Sequence, residues 1–147
     1  MSDTPEAVRL GGGFDPLVPD AEWALHRRGD RLVMATRRAA TGTSGERDWP
    51  LAAGAWIASA IRDGFWRSAE EGGFGPQMLH VEAAFGGERL ELRRAWGLGP
   101  GGEPGFTLTS LDRMTAAGYP VEFSFSDEWL IRGGLLGLFA TAAPPSA

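Results

Sequence analysis

Apolar and polar residues change places most regularly between positions 88 and 96, where Leu90 and Leu92 face one way and Arg89, Glu91 and Arg93 the other. Strict alternation of this kind marks a strand with one solvated face. The run Met78 to Ala84 precedes it, and Phe85-Gly86-Gly87 supplies a turn, so the two segments read as a hairpin. A second hairpin is predicted around Gly29-Asp30, with Trp23 to His26 as one strand and Arg31 to Arg37 as the other. In the latter, Leu32 and Met34 share one face and Val33 and Ala35 the opposite one. Residues 106–109 and 121–125 read as further short strands, the second with Val121, Phe123 and Phe125 alternating with Glu122 and Ser124. A helix starts at Ser126, an N-cap residue followed by Asp127 and Glu128 in the first turn. Gly133-Gly134 weakens its continuation.

Other stretches lack period. Residues 1–16 and 142–147 are expected to be irregular or disordered, residues 41–47 to form a polar loop, and 97–105 a flexible glycine-rich loop. Residues 51–71 carry two conflicting patterns. Apolar residues at 56, 57, 60, 61 and 65 in an alanine-rich stretch fit a helical face with a stop at Gly72-Gly73. The rival reading is a strand over 55–61 followed by a turn at Asp63-Gly64. The predicted fold class is mostly β: an antiparallel β-sandwich with one or two short helices, in a single domain spanning 1–147. The alternative is an α+β fold with a helix at 51–71.

Composition narrows the chemistry. The chain of 147 residues has no Cys, which excludes disulfides, thiolate metal sites and a Cys nucleophile. All 14 basic residues are Arg, and the absence of Lys excludes Schiff-base chemistry and a Walker-type phosphate loop. A net charge of −5 argues against a nucleic-acid partner. No run reaches the roughly 18 apolar residues of a membrane span, and the acidic start has no apolar signal region, so the expected location is cytoplasmic, or periplasmic for a processed form. There is no Gly-x-Ser-x-Gly elbow and no His-rich metal spacing. Asp63, Glu70 and the single Tyr119 are the groups to test if the protein acts on a hydrophobic metabolite, but no residue set points to catalysis. The six Trp, at 23, 49, 56, 66, 96 and 129, can line a pocket for a flat ligand or a sugar, or can fill the core of a small β protein.

Residues 30–64 resemble the haem-binding domain of the ethylbenzene dehydrogenase gamma-subunit family, a relative of DOMON and carbohydrate-binding sandwiches. The matching positions are Arg38, Thr41, Gly42, Asp48, Leu51, Gly54, Ala60, Asp63 and Gly64, and further on His80-Val81 with Phe85-Gly86 is similar to the segment where some relatives place an axial His. The resemblance implies a strand at 55–61. It also implies a non-covalent b-type haem module for electron transfer or sensing, with His80 as the iron ligand. Met34, Met78 and His26 are the candidates for the opposite face, and Arg38 is a candidate for the cofactor's carboxylates. Its partner would be a redox protein. The alternatives are a non-catalytic sandwich binding a sugar or flat hydrophobic ligand through its Trp side chains, a small α+β protein for a hydrophobic metabolite, and a structural subunit.

Overall fold

The computed structural model describes residues 6–142. Its eight strands form two four-stranded antiparallel sheets, each a simple meander. The first contains β1 (Ala7–Asp15), β2 (Val18–Arg28), β3 (Arg31–Arg38) and β4 (Thr43–Pro50). The second contains β5 (His80–Phe85), β6 (Glu88–Leu98), β7 (Glu103–Met114) and β8 (Pro120–Ser126). Between them lies a helical segment, α1 (Ala53–Ser59), which continues without a break as a π-helical turn over Ala60–Phe65. A short 3-10 turn at Ala69–Glu71 follows. After β8 come α2 (Asp127–Ile131) and α3 (Leu135–Thr141). The described residues thus run as four strands followed by helix, twice over, with two short helices closing the second half.

One core joins the halves. The alternating residues Trp23 and Leu25 on β2, Leu32 and Met34 on β3 and Trp49 on β4 are buried, as are Leu90 and Leu92 on β6, Phe106 and Leu108 on β7 and Phe125 on β8. Two sheets that turn their apolar faces to a common interior make a sandwich, the predicted class. Trp49 reaches across to Phe123 with ring centroids 5.7 Å apart, and Trp23 meets Trp129 of α2 at 5.4 Å. The helices close the core in matching fashion, with Ile57 and Ile61 on one and Leu135 and Phe139 on the other, each pair four residues apart and fully buried.

The hairpin at Gly29-Asp30 pairs Arg28 with Arg31, and the hairpin at Gly86-Gly87 pairs Phe85 with Glu88. Ser126 caps α2 by accepting a hydrogen bond from the Trp129 N–H at 3.1 Å. Four expectations are corrected. The strand at 55–61 implied by the resemblance is absent, because Ile57 and Ile61 bury one helical face that an extended chain would split between two sides. Residues 7–15 are not an irregular lead-in but strand β1, where the glycines allow close approach: a side chain at Gly12 would meet the Trp23 carbonyl at 2.5 Å. The polar stretch from Thr43 is not a loop but the edge strand β4, which pairs on one side only and keeps most of its residues in solvent. The expected loop over 97–105 shrinks to the few residues between β6 and β7. Of the expected disordered tails, positions 1–5 and 143–147 lie outside the described residues, while Ala142 is buried.

Candidate functional site

The helical segment ends unusually. The Trp66 N–H donates to the Ile61 carbonyl at 2.9 Å, a five-residue step that widens the last turn. The extra residue swings both Phe65 and Trp66 toward β7, with centroids 5.3 and 6.3 Å from the Phe106 ring. Gly64 leaves room for Phe74 to fold back, since a side chain there would meet that ring at 2.3 Å. Phe74 packs edge-on to Phe65 at 5.0 Å, and its N–H donates to the Gly64 carbonyl at 2.9 Å. Between these anchors, Ser68 and Glu71 form a reciprocal cap, and Gly72 takes a φ of +93° to turn the chain. The segment from Trp66 to Phe74 is therefore a built wall.

Opposite this wall stand Met78, Leu79 and the end of β6. They enclose a groove of about 450 Å³ lined by Phe65, Trp66, Arg67, Phe74, Arg94 and Trp96, with Met78 and Leu79 at its side. Trp96 is 63% exposed, Met78 47% and Leu79 46%. The Trp66 indole N–H, like those of Trp23 and Trp129, is buried without an acceptor among the described residues. Arg94 closes the inner end: its guanidinium lies 4.7 Å above the Phe106 ring, its Nη1 donates to the Gly105 carbonyl at 3.1 Å, and it grips Asp127 through two bonds of 2.7 and 2.9 Å.

A larger groove of about 540 Å³ crosses the outer face of the first sheet. Its floor is Gly13, Ala24, Ala35 and Gly45, and its rim carries Arg9, Arg37, Glu22 and Glu46 with one exposed aromatic, Phe14. The rim charges are of both signs, so its electrostatics select no ligand class.

The sequence-predicted site residues are dispersed. Met34 is fully buried beneath the first sheet, whereas His26 sits on that sheet's outer face opposite Val33. His80 opens β5 and is exposed on the face away from Val81 and Phe85. Met78 is in the loop before it, beside the aromatic groove. Arg38 is engaged with Asp20 at 3.1 Å, and its hydrogen bond holds the Asp20 carboxyl below the usual range. The candidate iron ligands thus occupy the core, one sheet's outer face, the other's outer face and a loop, and neither histidine lines any of the grooves described. These residues do not fit a haem held between two axial side chains.

The tryptophan reading divides. Trp23, Trp49 and Trp129 are core residues, while Trp66 and Trp96 line the groove. Asp63 is held by Arg62 and Arg67, and its carboxyl lies below the usual range through the hydrogen bond from Arg62. Glu70 is exposed on the 3-10 turn, and Tyr119 is exposed between β7 and β8. No group of three or more His, Asp or Glu could hold a metal among the described residues. Sequence reading missed Phe74, Leu79 and Arg67. The available signal was the Phe65-Trp66 pair at a helix end followed by Gly73-Phe74-Gly75, a spacing that returns an aromatic ring to the helix. No helix is long and apolar enough to cross a membrane among the described residues. Comparison with family models, with curated proteins and with solved structures gives no match.

Proposed function

We propose that the protein is a binding module that takes a flat, largely apolar small molecule in the groove between Trp66 and Trp96, without catalysing a reaction on it. The observation that carries this reading is the grouping of exposed apolar side chains. Among the described residues, three of the eight large apolar side chains left exposed (Met78, Leu79 and Trp96) lie along this one groove. Scattered apolar residues on a surface need no explanation, but a cluster at a concave site does. The volume of about 450 Å³ falls in the range of small-molecule sites. Aromatic walls at Phe65, Phe74 and Trp96 supply ring faces for stacking. This reading keeps the flat-ligand role of the tryptophans and leaves out iron.

The test uses N-phenyl-1-naphthylamine, an uncharged planar probe that brightens on leaving water. The wild-type protein is expected to bind it saturably at one site. Trp96→Ala is expected to weaken binding about tenfold, or about 1.4 kcal/mol. The melting temperature should stay put, because the Trp96 ring is mostly in solvent. Affinity unchanged in Trp96→Ala, or no saturable binding at all, overturns the reading.

A further inference from the structure

We infer that the natural occupant of this groove is a planar aromatic monocarboxylate held through the guanidinium of Arg67; the inference rests on the groove reading above and adds the charge of its ligand. The chain as a whole is acidic, at −5, yet the groove is lined by two arginines and no carboxylate. The two arginines differ in what they have left to give. Arg94 is committed to Asp127, to the Gly105 carbonyl and to the Phe106 face, and acts as a neutralised wall. Arg67 makes one protein hydrogen bond among the described residues, from Nη2 to Asp63 at 3.3 Å, and its side chain is 46% exposed. Four of its five N–H donors therefore remain available.

Asp63 and Glu71 both feel the Arg67 charge, but neither takes up its remaining donors. Asp63 is shared with Arg62, which contacts both of its oxygens, and with the Ser59 hydroxyl. Glu71 is turned to the Ser68 N–H and hydroxyl at 3.3 and 2.9 Å. A guanidinium presents a flat fork that matches a carboxylate in the plane of an aromatic ring. One available guanidinium answers one negative charge, which favours a monocarboxylate over a phosphate ester. The ring faces of Phe65, Phe74 and Trp96 would hold the body of the ligand while Arg67 holds its acid group.

Two probes of one shape separate charge from fit: 2-naphthoate and its neutral amide, 2-naphthamide, titrated by calorimetry into the full chain. The acid is expected to bind about tenfold more tightly at low salt, with the preference falling as sodium chloride is added. Arg67→Met is expected to remove the preference, and Arg67→Lys, which keeps the charge without the fork, to retain part of it. Equal affinity of the wild-type protein for both probes, or a preference that survives Arg67→Met, overturns the inference and leaves the groove reading standing. Failure of both probes to bind the wild-type protein overturns both.

Discussion

Asp48 stands between two arginines contributed by different sheets. Arg31 of β3 donates to it at 2.8 Å and Arg113 of β7 at 3.0 Å, and the same two arginines reach Glu88 of β6, each at 3.2 Å. Burial alone would raise the Asp48 carboxyl, but the hydrogen bonds from Arg113 and Arg31 together outweigh it and the pKa is lowered. Arg113 is raised, chiefly by its bond to Asp48. A carboxyl whose folded pKa lies below its unfolded value of about 3.9 adds stability above that pH and loses it as the pH falls through the folded value. Asp48→Asn is therefore expected to cost about 1 kcal/mol at neutral pH, a modest figure because the site is partly open to water. The cost should shrink as the pH falls below about 3.9 and vanish once the carboxyl of the folded wild-type protein is itself protonated. Urea unfolding at pH values from 7 down to the acid limit of the folded state checks this, and a deficit that never shrinks on acidification would contradict it. Asp48 directly follows Arg47 in the chain. Its partners are not its neighbour Arg47 but Arg31 and Arg113, which only the meeting of the sheets brings close.

The helical segment between the sheets shows what a local pattern can and cannot settle. Positions 57 and 61 carry a helical face, and that face is buried. The competing extended reading came from residues that are common in many contexts, so it had little to set against burial. Elsewhere the legible elements were those with full alternation, β6 and β8, or with a tight turn, β2 and β3. Edge strands β1 and β4 were hidden because a strand paired on one side needs few apolar residues. Gly54 gives this scale its test. On propensity, Ala in place of Gly stabilises a helix by about 1 kcal/mol. Here α1 crosses α3 so closely that an added methyl group would meet the Phe139 carbonyl at 2.7 Å. Backbone cannot move aside cheaply, so Gly54→Ala is expected to lose about 1–2 kcal/mol net. Thermal melts decide it: a higher melting temperature in the variant would mean that the helices do not touch there.

Across the whole molecule, the groove exists because the two halves meet. The first half ends its helix in a widened turn carrying Phe65 and Trp66, and the second half brings Phe106 and Trp96 up against it. Sequence reading counted Trp66 and Trp96 among the aromatics. It could not join them, because the two positions belong to different halves and their proximity depends on a core shared by both sheets. The same shared core takes up Trp23, Trp49 and Trp129 and leaves Trp66 and Trp96 along the groove. The indole N–H signals of a nitrogen-15-labelled sample report on that division residue by residue. On titration with N-phenyl-1-naphthylamine, the Trp66 and Trp96 indole signals are expected to shift saturably, while those of Trp23, Trp49 and Trp129 hold their positions. Stationary Trp66 and Trp96 signals at saturating probe, or shifts confined to the three core indoles, would contradict the account.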